Sequence, residues 1–201
     1  MVLELGASAP GEIARLARLV KPRIGVVTLL APAHLEGFGS IEAVRHSKAE
    51  LLRALPSDGL AILAGGIVDP QLLADGCRCR SLRAGTAAGC DLLAEDLACD
   101  GRTIGFRIDG DRFSVPLAGR HFVDAAVSAV AVADALGVAR SDAARGLASV
   151  VPPRGRCTVR KIGSWTVIDD TYNASPASLS AACRLLGEFP EDGRRVLVLG
   201  E

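Results

Sequence analysis

Apolar residues recur at two periods along this chain and divide it into alternating segments. Val2 to Leu5 is a short apolar run ending at Gly6, and it predicts a strand. Ile13, Leu16, Ala17 and Val20 fall at i, i+3, i+4 and i+7, so residues 11–21 predict a helix that Pro22 stops. Ile24 to Leu30 is a continuous apolar run rich in Val and Ile, the pattern of a strand buried on both faces. A loop with Pro32, His34 and Gly37 follows. A helix is then predicted from Ser40 to about Leu55, ahead of Pro56, and Gly59 to Ala64 predicts another strand. This strand–helix–strand–helix–strand order is the pattern of an α/β fold with a mainly parallel sheet.

The pattern changes over residues 70–118, which carry many glycines and short alternating runs. Thr103–Ile108 and Arg112–Leu117 flank Asp109-Gly110, a hairpin turn signal. Residues 120–136 form an almost wholly apolar, Ala-rich stretch that predicts a helix buried on most sides, with Gly137 as its stop. Ser141 begins a shorter predicted helix to about Ser149. Val151-Pro152-Pro153 breaks the pattern, and a domain boundary is placed there, dividing the chain into residues 1–150 and 151–201. Beyond it the chain predicts a strand at Trp165–Ile168 and a loop from Asp169 to Ser175. A helix follows, capped by Ser175 with Pro176 at its first position and ended by Gly187, and then a strand at Val196–Leu199. Since one βαβ unit cannot close a doubly wound sheet, the second domain is expected to be truncated.

Composition narrows the functional classes. Of 201 residues, 49% are hydrophobic and 23% charged, as in ordinary globular proteins. Lys+Arg and Asp+Glu are both 23, so no basic excess argues for nucleic acid, and aromatics at 3% offer few platforms for stacking bases. No apolar run reaches the roughly 18 residues of a membrane helix. The N-terminus lacks the basic region of a signal peptide, so a cytoplasmic location is expected. The cysteines at 77, 79, 90, 99, 157 and 183 read as free thiols rather than a disulfide frame. Cys77 and Cys79 form a C-x-C with no second pair at zinc-finger spacing.

One residue conflicts with its surroundings. On the helix from Ser40, Val44, Leu51, Leu52 and Leu55 lie within about 80° of Ile41 at 100° per residue. Lys48 sits in the middle of that stripe, while Glu42, His46, Glu50 and Arg53 lie on the other side. A lysine there must neutralise, find a carboxylate, snorkel to solvent or be modified. Glu4, alone in its apolar run, and the loop carrying His34 both fall at carboxyl ends of predicted strands, where ligands collect in open α/β sheets. A carboxylate and an imidazole suit a divalent metal. The plainer account is a Glu4–Lys48 ion pair, with His34 as a loop hydrogen-bonding residue.

Several strings resemble the Mur ligases. They are Glu4-Leu5-Gly6-Ala7, Pro10-Gly11-Glu12-Ile13, Ala31 to Ser40 with its His-Leu-Glu-Gly-Phe-Gly-Ser, and Lys48-Ala49-Glu50. Gly155-Arg156 and Asp169-Asp170-Thr171-Tyr172-Asn173-Ala174-Ser175-Pro176 follow. The likeness runs over nearly the whole chain and is weak across 65–115. It is strongest to the branch that adds D-alanyl-D-alanine to a UDP-linked muramoyl tripeptide.

The resemblance implies an ATP-dependent amide ligase of cell-wall synthesis. ATP phosphorylates the substrate carboxylate, and an amine attacks the acyl phosphate. It implies an incomplete P-loop-type central domain followed by the first βαβ unit of a Rossmann-like domain. It implies a catalytic Lys48 carrying a carbamate, with Glu4, His34 and Lys48 holding Mg2+ and His34 also in the catalytic set. Arg156 would reach ATP phosphate, Asp170 the ribose, and Tyr172 and Asn173 would lie near the incoming dipeptide.

The departures bear on ATP. The 201 residues contain no G-x-x-x-x-G-K-[ST] phosphate loop. Leu29 stands where the family has Asn. Phe122 and Ala125 replace the two amides of an adenine-holding motif begun by Gly119-Arg120-His121. Gly65-Gly66 replace an Asn and an Asp. The chain is therefore expected to be inactive alone, as a piece of a working ligase. Two alternatives stay open: a Mur-like binding or scaffold module without catalysis, and an amide ligase of folyl-polyglutamate or cyanophycin type.

Overall fold

Four strands, Ile24–Val27 (β1), Leu60–Ala64 (β2), Arg80–Gly85 (β3) and Leu92–Leu93 (β4), pair in chain order as a parallel sheet in the computed structural model, which describes residues 1–31 and 38–200. The register sets Ile24 beside Leu60 and Ala64 beside Ala84. The α/β class with a parallel central sheet holds.

Helices cover the sheet on both faces. Glu12–Val20 (α1) precedes β1, Ile41–Arg53 (α2) joins β1 to β2, and Pro70–Ala74 (α3) joins β2 to β3. Along β2 the side chains alternate. Ala61 and Leu63 pack with Ala49, Leu52 and Leu55 on the α2 side, while Ile62 packs with Val123 and Val127 on the other. The Ser40 hydroxyl caps α2 by accepting from the Ala43 N–H at 3.1 Å, as the sequence predicts.

Val123–Ala135 (α4), preceded by a 3-10 turn at Arg120–Phe122, lies between two sheets. Its other neighbour is an antiparallel sheet of Glu95–Cys99 (β5), Ile104–Ile108 (β6) and Asp111–Val115 (β7). Val123, Val127 and Val130 are fully buried in one core with Ile104, Phe106, Ile108 and Phe113, which explains a helix that is apolar nearly all round. The β6–β7 turn is the expected hairpin, with positive φ at both Asp109 and Gly110. Phe106 and Phe113 face each other across it, ring centroids 5.4 Å apart. Arg140–Ala148 (α5) packs beside β7.

Thr158–Ile162 (β8) and Trp165–Asp169 (β9) form an antiparallel hairpin, followed by Pro176–Glu188 (α6). Ser175 caps α6 in a reciprocal arrangement with Ser178, with Pro176 in the first turn. The helix runs one residue past Gly187. Ala118, Cys157, Leu185 and Phe189 form a small core that joins this part to the turn before α4.

Several expectations need correction. Val2–Leu5 and Val196–Leu199 form no strand; their apolar side chains are largely exposed and no described neighbour supplies a ladder. Without that second strand, β9 and α6 do not complete a βαβ unit among the described residues. β1 ends at Val27 rather than Leu30. β3, β4, β5 and β8 were not legible, because Arg80-Ser81-Leu82-Arg83 and Thr158-Val159-Arg160-Lys161 lack a clean apolar alternation. On α2 the buried positions are Val44, Ser47, Ala49 and Leu52, so the stripe is rotated from the expected one. Glu50, assigned to the outer face, instead accepts from the N–H groups of Gly11 and Ala14 at 2.8 and 2.9 Å and caps α1 from across the fold.

Candidate functional site

The carboxyl ends of β2 and β3 open beside the first turn of α4. Asp124 projects from that turn, where the helix dipole favours a carboxylate. It accepts from the Gly66 N–H at 2.8 Å, the Thr86 N–H at 2.9 Å and the Thr86 hydroxyl at 3.1 Å. One side chain thus ties the ends of two parallel strands to the helix. The fit needs glycine at 85, where a Cβ would meet Asp124 Oδ1 at 2.5 Å.

A cleft of about 270 Å³ lies next to this tie, lined by Thr86, Arg120, His121, Asp124, Arg184 and Glu188 among others. Its walls come from β3, the turn before α4, and α6. The ring of His121 lies 4.1 Å from that of Phe122, centroid to centroid. Gly119 leaves room for the His121 ring, since a Cβ there would meet His121 Cε1 at 2.5 Å. Part of His121 meets solvent, yet the atoms packed around the ring desolvate the imidazolium and lower its pKa; Asp170 opposes this in part. The imidazole is therefore neutral at pH 7.

Behind His121 lies Cys157, its Sγ 3.7 Å from His121 Nε2. Cys157 adopts a left-handed backbone, φ 48°, which turns its N–H onto Asp170 Oδ1 at 3.1 Å. Burial, with the Asp170 carboxylate beside it, pushes the Cys157 thiol up to about 12, so it is no nucleophile. Arg156 stands next to it, its guanidinium 4.1 Å over the Tyr172 ring. The Tyr172 N–H donates to the Gly155 carbonyl at 3.1 Å, and a Cβ at Gly155 would press on that nitrogen at 3.0 Å. Asn173 accepts from the N–H of Ala174 at 2.9 Å.

Four of the expected site residues, Arg156, Asp170, Tyr172 and Asn173, lie on two segments joined by the Cys157–Asp170 and Tyr172–Gly155 hydrogen bonds; Cys157 connects these segments to His121, and none of the four lines the cleft itself. Lys48 is elsewhere, half-buried on α2, and desolvation lowers its pKa; among the described residues no ion pair compensates it. The plainer alternative, a Glu4–Lys48 ion pair, does not form, because Glu4 lies on an exposed segment without strand pairing. His34 lies outside the described residues. No group of three His, Cys, Asp or Glu among the described residues is arranged to hold a metal ion.

Asp124, Thr86 and Cys157 were missed by sequence reasoning. The one available signal was Asp124 itself, a charge in the first turn of a helix that is apolar over most of its length. No described helix is long and apolar enough to cross a membrane.

Residues 1–133 match the protein family described as Mur ligase middle domain. The whole chain is similar to the UDP-N-acetylmuramoyl-tripeptide–D-alanyl-D-alanine ligase of Bacillus subtilis, with 35% identity over 203 residues, 100% of this chain and 44% of that protein. The fold is similar to a crystal structure of MurF from Acinetobacter baumannii, with TM-score 0.87 and 29% identity over 96% of this chain and 43% of that one. It is also similar to MurF ligase from Thermotoga maritima in complex with ADP, with TM-score 0.78 and 30% identity over 94% of this chain and 44% of that one. The chain spans less than half the length of the curated relatives it matches.

Proposed function

The chain belongs to the Mur ligase family, and from that premise we propose that it supplies the central catalytic part of an ATP-dependent ligase adding D-alanyl-D-alanine to a UDP-linked muramoyl tripeptide in the cytoplasm. The observation that carries this is the reach of the likeness. It continues through residues 134–200, beyond the family match, and so takes in Arg156, Asp170 and Tyr172. Residues 1–150 would form the central domain and 151–201 the start of the next.

The residues suit their proposed roles. Arg156 is exposed with its guanidinium over the Tyr172 ring, and its side chain makes no ion pair among the described residues, so its fork is free for a phosphate. Asp170 spends one oxygen on the Cys157 N–H and leaves the other for a ribose hydroxyl. Tyr172 and Asn173 are exposed beside them, where an incoming dipeptide would be received.

Burial disfavours the charged ammonium of Lys48. The neutral amine is the form that adds carbon dioxide, giving a carbamate and one proton, and this turns a costly buried cation into an oxygen donor. A carbamate on Lys48 would supply an oxygen donor of the kind Mg2+ takes, and Glu4 and His34 are the further donors that the family resemblance implies, although the described residues alone do not assemble such a group. Bound there, Mg2+ would offset charge on the transferring phosphoryl group.

A second reading, a binding module that kept the fold without turnover, is favoured by Phe122 and Ala125, whose side chains cannot supply the paired donor and acceptor of an amide. The native gene product, incubated with ATP, Mg2+, UDP-MurNAc-tripeptide and D-alanyl-D-alanine, separates the two. Phosphate release that needs both substrates and is lost in Lys48→Ala supports the ligase. A folded protein that binds the muramoyl nucleotide without releasing phosphate supports the binding module.

A further inference from the structure

Cys77 and Cys79 lie outside everything described so far. They follow α3 and lead into β3, on the far side of the sheet from α4. Their sulfurs are 3.3 Å apart. Both are half-buried, packed on the core of β2, α2 and α3 yet still within reach of solvent.

The pair is held from both ends. The Cys77 N–H donates to the Ala74 carbonyl at 2.9 Å, closing the end of α3, and Gly76 makes the turn with φ 76°. Cys79 is locked by the ladder, since Arg80, the next residue, pairs with Leu60 of β2. The chain bends at Cys79 just before β3 begins, and the 3.3 Å separation sets the two thiols side by side.

This spacing selects among soft partners. With bonds of about 2.3 Å, the length of zinc–thiolate bonds, sulfurs 3.3 Å apart subtend about 90°. Tetrahedral zinc prefers a wider angle and four ligands, and no third His, Cys, Asp or Glu joins the pair among the described residues. Linear two-coordinate ions need the sulfurs on opposite sides. A right-angle bite with two sulfurs matches a pyramidal, three-coordinate centre.

We infer that Cys77 and Cys79 form a bidentate dithiol site for trivalent thiophilic oxyacids of the organoarsenical class. Two arsenic–oxygen bonds break and two arsenic–sulfur bonds form. Each departing hydroxide takes the proton of one thiol and leaves as water, so arsenic stays trivalent and no electrons are exchanged. The chemistry thus needs no free thiolate. That fits a pair in which desolvation, together with the Cys77 contact, raises the Cys79 thiol to about 11. Cys90, Cys99, Cys157 and Cys183 have no thiol neighbour among the described residues, so the site is selective within the chain.

The test uses the reduced 201-residue chain and phenylarsenous acid, the hydrated form of phenylarsine oxide, in excess monothiol. Intact mass spectrometry is expected to find one adduct, removed by a small dithiol but not by the monothiol. Cys77→Ser and Cys79→Ser are each expected to retain the arsenical about 100-fold less well, as loss of one arm of a chelate implies. Cys183→Ser should retain it fully. An adduct that persists in both serine variants, or no adduct on the folded reduced wild type, overturns the proposal. If either variant fails to fold, peptide mapping of the wild type decides. Protection of Cys77 and Cys79 from alkylation by the bound arsenical supports the site, and protection elsewhere refutes it.

Discussion

Asp124 accepts hydrogen bonds from both the backbone N–H and the hydroxyl of Thr86, at 2.9 and 3.1 Å, and so joins the first turn of α4 to the carboxyl end of β3. The same carboxylate holds Gly66 at the end of β2. Gly65-Gly66, which at first look like lost polar residues, leave the backbone open to this carboxylate. Asp124→Ala is expected to destabilise the chain by about 1–3 kcal/mol, tempered by water reaching the freed N–H groups. Gly85→Ala should cost more in the wild type than in the Asp124→Ala background, because the added Cβ meets Asp124 Oδ1 at 2.5 Å. Urea unfolding of the two single variants and the double variant measures that coupling; strict additivity would refute the contact.

Glu50 caps α1 from α2 through the N–H groups of Gly11 and Ala14. Glu50→Ala is expected to lower stability by about 1 kcal/mol, the usual worth of a cap. Amide exchange should speed up in residues 12–20 ahead of the rest of the chain. Uniform acceleration would mean that the cap is not local.

Arg140 gathers Asp109, Asp111 and Asp134 and donates to the Ile108 carbonyl at 3.2 Å, pinning the β6–β7 turn to the start of α5. Arg140→Ala is expected to lower the melting temperature by several degrees, since about 1 kcal/mol shifts a chain of this size by roughly 2–4 °C. Arg140→Lys should recover only part of the loss, because an ammonium lacks the planar fork. Equal melting temperatures for wild type and Arg140→Ala would refute the role.

His121 and Cys157 should leave opposite marks on stability against pH. His121 has a folded pKa below its ordinary 6.5, so its contribution is present above pH 6.5 and is lost as pH falls through the depressed value. Cys157 has a folded pKa raised from 9.0 to about 12, so its contribution is present below pH 9.0 and is lost as pH rises toward 12. Unfolding free energies of His121→Gln and Cys157→Ala, set against the wild type across pH, should be flatter on the acid and alkaline sides respectively. Curves parallel to the wild type would show that neither group is perturbed by folding.

The proposed carbamate has a readout that needs no substrate. With 13C-bicarbonate, the native gene product is expected to give a carbamate carbon resonance that Lys48→Arg abolishes, because guanidinium does not add carbon dioxide. A resonance that persists in Lys48→Arg would assign the carbamate to another amine.

The sequence by itself determined the elements whose period is carried by side chains. The helices that became α1, α2, α4, α5 and α6, the strands at β1 and β2, and the Asp109-Gly110 hairpin were legible, because amphipathic periods and turn residues are local signals. The strings carrying Glu4, His34, Lys48, Arg156 and Asp170 were legible too, and with them the family.

Tertiary structure decided what depends on a partner. Val2–Leu5 and Val196–Leu199 have strand composition but no ladder, whereas Arg80–Gly85, with two arginines, is a strand because β2 and β4 pair with it on either side. Backbone pairing overrides composition where a neighbouring strand takes up the N–H and carbonyl groups, as β2 does over Arg80–Ala84 and β4 at Ala84 and Gly85. The same reason hid Asp124, Glu50 and the Cys77–Cys79 pair. A carboxylate that bridges two strand ends, or caps a helix 36 residues away, has no local signature. A C-x-C becomes a site only when a helix end and a ladder hold its sulfurs 3.3 Å apart.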